Sequence, residues 1–461
     1  MKLLIALAAG ALLAHAQPVA VTHVTVIDVE AGRSRPDMTV VVAGGRISAV
    51  RQAARVTVPR GSQIVDGRGK FLIPGLWDMH VHMFSALPPG TQDPAARVFF
   101  APNFVARGIS GVRSMFDDLG AIRELRAAVA AGTLAGPEVV ASGPILDGAP
   151  AYWPGSIACA NPEQGRAAVR RLKDGGVDFI KVYSLLSRET YFAIADEAQK
   201  AGLPFAGHVP NGVTAVEASD AGQRSIEHLL GVFASCSSRE AEFARDGAKF
   251  GDSMRAAAES YDPRKAAALF AKFAANGTWQ TPTLVALRTV AYAGDAEFEK
   301  DERIRQVPAS IRQIWRGLLA DMAKPDAAAR RRQFERELTL VGAMHKAGVK
   351  ILAGTDTPNP YVFPGSGLHD ELELLVKAGL TPMDALRSAT IRPAEYLGAA
   401  NGMGSIAADK AADMVLLEGD PLADIANTRR IAAVVLKGKV YAKSDLAQML
   451  LGARKALGGG E

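Results

Sequence analysis

The residues of this chain best suited to chemistry are two histidines one residue apart, in the run Pro74-Gly75-Leu76-Trp77-Asp78-Met79-His80-Val81-His82. Side chains on a strand alternate between faces, so His80 and His82 share one face while Met79 and Val81 take the other. Two imidazoles on one face make half of a metal site, although such a pair also occurs on solvated strands. Further apolar runs carry ionisable residues at their ends: 179–183 with Lys181, 204–209 with His208, 225–229 with His228, and 351–356 with Asp356. A buried strand tolerates such a group when it is paired or ligates a metal.

Neutral imidazoles and carboxylates suit zinc and similar divalent ions, and a catalytic site keeps one position open for water. His80, His82 and Asp356 could hold one ion, and His208 and His228 a second. Lys181 is the difficulty, because an ammonium beside cations is repelled and is costly to bury without compensation. Reaction of the amine with carbon dioxide would turn it into a carbamate, an anion whose two oxygens could bridge both ions. A lysine whose head reaches solvent is the commoner arrangement.

The elements that must hold these residues follow from periodicity. Eight strand segments, 71–82, 109–116, 138–145, 178–184, 204–209, 225–229, 279–284 and 350–356, alternate with helical stretches such as 166–172 and 189–201. This pattern predicts an α/β fold, a closed (β/α)8 TIM barrel over 71–400, in which the carboxyl ends of the strands converge on one site. His80, His82, Lys181, His208, His228 and Asp356 all sit at such ends. The segment 237–324 is longer than a strand-helix unit needs, and its helical pattern predicts a cap over the site. Residues 17–70 and 401–447 read as β-structure and predict a small β-sandwich domain built from both ends. Residues 448–461 are expected to be a tail, disordered over Gly458-Gly459-Gly460-Glu461.

At 461 residues, 48% hydrophobic and 22% charged, the chain has the composition of a globular enzyme. Met1-Lys2, the apolar stretch 3–13 and Ala14-His15-Ala16 have the parts of a secretory signal peptide, 1–16. Export to the periplasm or beyond the cell is expected. The apolar stretch is shorter than the roughly 20 residues that span a bilayer, and no later segment is long and apolar enough, so no membrane span is expected. Removing Lys2 takes the formal charge from +5 to +4, too small and dispersed to indicate nucleic acid. Cys159 and Cys236 are the two cysteines; after export they could pair as a disulfide, and pairing is the expectation. A homo-oligomer is compatible with all of this.

Taken in order, His80-Val81-His82, Lys181, His208, His228 and Asp356 resemble the binuclear metal centre of the amidohydrolase superfamily. The resemblance covers nearly the whole chain after the leader, including Ala353-Gly354-Thr355-Asp356-Thr357 and the stretch Thr390-Ile391-Arg392-Pro393-Ala394-Glu395-Tyr396-Leu397-Gly398 ahead of Ala411-Ala412-Asp413-Met414-Val415. Within it the chain is most similar to the branch of imidazolonepropionase-like proteins and metal-dependent Xaa-Pro dipeptidases. This implies a hydrolase of amide or peptide bonds carrying two divalent ions, expected to be zinc, with Lys181 carboxylated at N6. A hydroxide bridging the ions would attack the carbonyl, Asp356 would pass the proton to the leaving nitrogen, and Tyr183, on the face of Lys181, would help stabilise the oxyanion.

A residual positive charge at such a site favours a small-molecule substrate with a carboxylate, a dipeptide of the Xaa-Pro kind or an N-acyl amino acid. The same site could instead open a lactone, an ester or the amide of a phenylalanine-bearing toxin. A catalytically silent barrel that only binds is the alternative of another class. Tyr183, His369, Tyr361 and Trp153 are the expected substrate contacts, with helix-start polarity as the other reading of His369. Arg113 suits a structural ion pair or a substrate carboxylate. Glu227 precedes a ligand in its strand and is expected to face away from it, toward a neighbouring helix. The leader is checked by terminal sequencing of the secreted protein, which should begin at Gln17; retention of residues 1–16 on the mature chain would remove export from this reading.

Overall fold

The computed structural model describes residues 17–84, 94–246, 252–324 and 326–456. The expected leader and the expected disorder of residues 458–461 lie outside these. The apolar runs at the two ends of the chain form one sheet. Its strands lie in the order Lys439–Ala442, Ile431–Leu436, Met414–Leu417, Phe71–Pro74, Val19–Asp28, Arg33–Ala43 and Arg46–Gln52, with Gln63–Asp66 also paired to Val19–Asp28. The two halves meet where Leu72 lies opposite Leu416 in antiparallel register.

The expected sandwich of two sheets is thus one hydrogen-bonded sheet. Register shifts between Val21 and Val24 and between Val24 and Val26 mark bulges, which bend a strand. Val24, Val40, Leu72, Met414 and Val435 share a core separate from that of the rest of the chain. The boundary expected at residue 70 falls after Phe71–Pro74, which still belongs to this sheet. Gly75 makes the crossing, since a Cβ there would lie 2.3 Å from Ser110 Oγ.

From Leu76 the strands turn parallel. Leu76–Val81, Ile109–Ser114 and Glu138–Ala141 form one sheet, and Ile157–Ala158, Leu146–Asp147, Ile180–Val182, Phe205–Gly207, Ser225–Glu227 and Trp279–Thr281 form another. On one side the sheets are joined by the Asp178 N–H donating to the Ala141 carbonyl at 2.9 Å. On the other, Leu352 N–H donates to Gln280 O and Met79 N–H to Ala353 O, both at 2.9 Å. The segment expected as the last strand, 350–356, therefore occupies a strand position but makes isolated bridges at Ile351 and Thr357.

Helices between the strands are set by local chemistry. Arg188–Ala201 begins where the Ser187 side chain accepts the Thr190 N–H and stops at Gly202, whose φ of +69° suits glycine. Pro162–Asp174 starts with the Asn161 side chain on the Gln164 N–H and proline in the first turn. The range expected as a cap, 237–324, is mixed. It contains the ordinary unit of helix Pro263–Asn276 and strand Trp279–Thr281, together with the extra helices Glu240–Asp246, Asp252–Glu259, Leu284–Tyr292 and Ala309–Met322.

The expected tail is also helical over Lys443–Ala456, packed on the helix Pro94–Val105. Leu446, Met449, Leu450 and Ala453 recur at the spacing of one helix face, and Leu446 and Ala453 are buried. No helix of the described residues is long and apolar enough to cross a membrane.

The expected disulfide is not formed, and both cysteines are buried free thiols. Cys159 follows Ile157–Ala158 beside Asp147, whereas Cys236 ends the short helix Val232–Ser235 near Glu240 and Lys265, so each packs into its own neighbourhood. Burial pushes the thiols up to about 11 and about 12.

At the seam of the sheets, a Cβ on Gly354 would lie 2.6 Å from Thr281 Cγ2 and 2.9 Å from His80 Cβ. Gly354→Ala should cost about 1–3 kcal/mol by overpacking, read by urea unfolding, and should weaken metal uptake by displacing His80.

Candidate metal centre

The parallel strands deliver their last residues to one place. His80, His82, Lys181, His208, His228 and Asp356 line a single cavity of about 550 Å³, together with Tyr183 and Trp153. Asp356 Oδ1 lies 2.8 Å from His82 Nε2 and 3.3 Å from His80 Nε2. The His80 and His228 rings are 4.6 Å apart and those of His208 and His228 5.1 Å. His80, His228 and Asp356 each offer a ligand atom, all within 4.8 Å of one another. The Tyr183 ring stacks on His208 at 3.9 Å.

Each ring is steered through its Nδ1. His80 Nδ1 meets Glu227 Oε2 at 2.8 Å, His208 Nδ1 meets Ser184 Oγ at 2.8 Å and His228 Nδ1 meets Thr283 Oγ1 at 2.6 Å. Such partners fix ring orientation and tautomer, as around metal-bound imidazoles. Among the described residues, His80 Nε2 and His82 Nδ1 are buried with no partner of hydrogen-bond geometry, Asp356 Oδ1 approaching His80 Nε2 at 3.3 Å only as an ion-pair contact. Asn359 Nδ2 donates to Asp356 Oδ2 at 2.6 Å.

Burial sets the charge states. It pushes His80 and His208 below the ordinary imidazole range and His228 down to about 3, leaving neutral rings suited to a metal. Burial opposes ionisation of Asp356, and the neighbouring imidazoles of His228 and His80 outweigh it, holding the carboxyl well below its usual range. Lys181 is 1% exposed, and burial lowers it to about 8. Among the described residues, its amine has no hydrogen bond and no carboxylate at ion-pair distance.

Two backbone features aim the last ligands. His228 has φ +58° and Asp356 φ +64°, left-handed values uncommon outside glycine. The alternation of a strand therefore ends at Glu227, and the expectation that Glu227 faces away from the site is wrong. Its carboxylate is fully buried, accepts from Arg113 Nη2 at 3.0 Å, and meets His80. Burial raises the Glu227 carboxyl, but Arg113 outweighs it and holds the group well below its usual range. Arg113 is thus a structural partner with no exposed surface.

Two of the expected substrate contacts are elsewhere. His369, 2% exposed, meets Thr428 Oγ1 at 2.9 Å and the Arg107 carbonyl at 3.0 Å, because the first turn of Ser366–Lys377 packs inward. Tyr361 is buried against Phe298, Trp315 and Phe363 and donates its hydroxyl to Glu299 O. Neither lines the cavity. Trp153 does, and its indole donates to the Tyr183 hydroxyl at 2.7 Å. Sequence reasoning missed Glu227, Ser184, Thr283 and Asn359. A usable signal existed for the first, since Arg113 and Glu227 are opposite charges in two strands that carry no other charge.

Residues 71–441 match the sequence pattern that defines the Amidohydrolase family. The chain belongs to that family. Among curated relatives, this amidohydrolase is 34% identical over 101 residues to adenine deaminase 3 of Rhizobium meliloti (strain 1021), which covers 20% of the chain and 17% of that protein. It is 24% identical to the ochratoxinase of Aspergillus niger over 411 residues, 77% of this chain and 71% of that one. A crystal structure of a putative prolidase from Bifidobacterium longum superposes with a TM-score of 0.68 at 25% identity, covering 95% of this chain and 99% of that one. These likenesses imply a TIM barrel joined to a β domain. The matched region spans about 17% of the length of the first of these curated relatives. The Amidohydrolase family is generally metal-dependent, and the donor set fits a divalent ion: neutral imidazoles, an ionised carboxylate and two buried ring nitrogens without a hydrogen-bond partner among the described residues.

His369 yields a stability prediction. Burial lowers it to about 3 against 6.5 for a free histidine. As pH falls, the unfolded chain takes up the proton first, so this contribution is whole above about 6.5 and is lost toward pH 3. His369→Gln should move the acid-unfolding midpoint, followed by circular dichroism, to lower pH. It should leave kcat/KM within about two-fold, since the residue is remote from the cavity.

Proposed function

We propose that this enzyme hydrolyses an amide bond at a binuclear zinc site, acting on a dipeptide of the Xaa-Pro kind or an N-acyl amino acid, after export from the cell. His80, His82 and Asp356 would hold one ion, His208 and His228 the second, and Lys181, carboxylated at N6, would join them. The observation that carries this reading is Lys181: a buried amine with no carboxylate at ion-pair distance among the described residues, in a cavity it shares with four imidazoles and the Asp356 carboxylate. Carboxylation removes the cost of that charge and supplies the missing anion. The parallel sheets with hydrogen-bonded seams support the reading of a closed (β/α)8 barrel.

When bound, the ions would polarise the substrate carbonyl and make water acidic enough to react near neutral pH. Asp356, ionised and steadied by Asn359, would take the proton of the attacking water and return it to the nitrogen as the carbon–nitrogen bond breaks. The Tyr183 phenol stays protonated, because burial pushes its pKa up. Its oxygen accepts from Trp153, so its own O–H remains to donate to the carbonyl oxygen as negative charge develops. Glu227 would hold His80 in the tautomer that leaves Nε2 for a ligand.

The cavity walls favour a second reading, hydrolysis of a bulkier apolar amide. Phe116, Ile145, Leu287, Ile311 and Trp315 line it, and the likeness to ochratoxinase points the same way. A screen of dipeptides, N-acyl amino acids, aryl amides and lactones on zinc-replete protein separates the readings. Asp356→Asn should stay folded and lose at least about two orders of magnitude in turnover; near-normal activity would remove it from the mechanism. Lys181→Ala should lose activity and recover part of it with added short carboxylic acids, and mass analysis finding an unmodified Lys181 in active protein would refute carboxylation. Chelation should abolish turnover and zinc restore it.

A further inference from the structure

The cavity that holds the proposed ligands extends beyond them to the helix Ala327–Lys346, where Gln333 and Glu337 form part of its wall. One turn apart, they present neighbouring side chains. Gln333 is 6% exposed and Glu337 3%. Gln333 Nε2 donates to Glu337 Oε1 at 3.1 Å, and among the described residues the buried Gln333 Oε1 has no hydrogen-bond partner. No cation among the described residues is within ion-pair distance of Glu337. Arg330, on the same wall, donates to the carbonyls of Ala323 and Ala293.

A buried carboxyl with one amide for company and an unused amide oxygen beside it weaken the fold, because both acceptors have left water for one shared hydrogen bond. Burial pushes the Glu337 carboxyl up to about 8. The same cavity is lined by the apolar Leu287, Ile311, Ile314, Trp315, Leu318 and Met322, contributed by Leu284–Tyr292 and Ala309–Met322. The cavity thus holds the ligand cluster, a set of apolar side chains, the cations Arg255 and Arg330, and the two acceptors of Gln333 and Glu337.

We infer that Gln333 and Glu337 form a distal subsite that receives an amine-bearing end of the substrate, whose apolar body lies along the cavity with its scissile amide at the ligand cluster. An ammonium has three N–H donors and a positive charge, which match the two acceptors and hold Glu337 ionised. The inference rests on the amide-hydrolase reading for the other end of the same cavity and names the class of substrate it takes.

The test uses p-nitroanilides whose acyl groups carry an apolar chain of graded length ending in an amine, a methyl or a carboxylate. At the chain length that fits, the amine-ended compound should show at least about ten-fold lower KM than the methyl-ended one with kcat little changed, as uniform binding energy requires. Glu337→Leu should abolish that preference while keeping turnover of the methyl-ended compound, and Glu337→Gln should reduce it. Glu337→Leu should also raise Tm, whereas loss of a carboxyl kept for structure would lower it. Equal KM values for all three ends, a preference for the carboxylate end, a preference that survives Glu337→Leu, or a lowered Tm would each overturn the subsite. Calorimetric titration with the amine-ended and methyl-ended free acids reads the subsite without turnover. Amine-selective binding that Glu337→Leu removes, with none of the anilides cleaved, would support the subsite while refuting the amide-hydrolase reading; absence of selectivity there would refute the subsite alone.

Discussion

Inside the parallel sheets Arg113 and Glu227 form an ion pair with no exposure to water, and the geometry of the site hangs from it. The guanidinium donates Nε to the Met79 carbonyl at 2.6 Å, Nη1 to Ser225 Oγ at 2.9 Å and to the Tyr396 hydroxyl at 2.8 Å, and Nη2 to both Glu227 oxygens at 3.0 Å. One side chain thereby ties the strands Leu76–Val81, Ile109–Ser114 and Ser225–Glu227 together one layer beneath the ligand cluster. Glu227 then passes the constraint upward, through the oxygen that meets His80. Removing either charge would strand the other in a dry interior, at a cost of several kcal/mol, and would release His80 as well.

The part of this that could be read from the sequence is the part governed by simple periodicity. Two-residue alternation puts His80 and His82 on one face, and both imidazoles do approach the same oxygen of Asp356. The same rule carries Tyr183 into the cavity with Lys181. It fails at Glu227 and His228 because the backbone leaves the extended region at His228, and a left-handed non-glycine residue has no signature in composition. His369 misled for a related reason: a polar residue at the start of a helix reads as surface-facing, but Thr428 and the Arg107 carbonyl supply both nitrogens with partners indoors. The terminal helix was hidden by length alone, since its apolar stripe at 446, 449, 450 and 453 needs the helix Pro94–Val105 to pack on.

Desolvation runs through all of these observations with a consistent sign. It leaves the rings of His80, His208 and His228 neutral, so one nitrogen of each has a lone pair available to a ligand at neutral pH. It also makes Lys181 and Glu337 expensive, the one as a cation and the other as an anion. Among the described residues neither has a partner of opposite charge at ion-pair distance, in contrast to Glu227 and to Asp370, which is paired with Arg288, Arg303 and Arg429. Lys181 and Glu337 both line the cavity, where an exogenous group can complete them.

This division has a consequence for how chemistry and selectivity are distributed. The ligand cluster sits on strand ends whose rotamers are locked by Ser184, Thr283 and Glu227. The apolar walls come largely from Leu284–Tyr292 and Ala309–Met322, helices that follow the strand Trp279–Thr281 and carry none of the ligand atoms. Changes in those helices can therefore reshape what enters while the imidazoles keep their places, the usual relation of loops to scaffold in such folds. Trp153 joins the two regimes. It is 40% exposed, lines the same cavity, and its indole holds the hydroxyl of Tyr183, which in turn stacks on His208. A group bound against Trp153 is thus only one hydrogen bond and one ring contact away from a member of the ligand cluster, which gives the substrate body a short physical route to the reacting end.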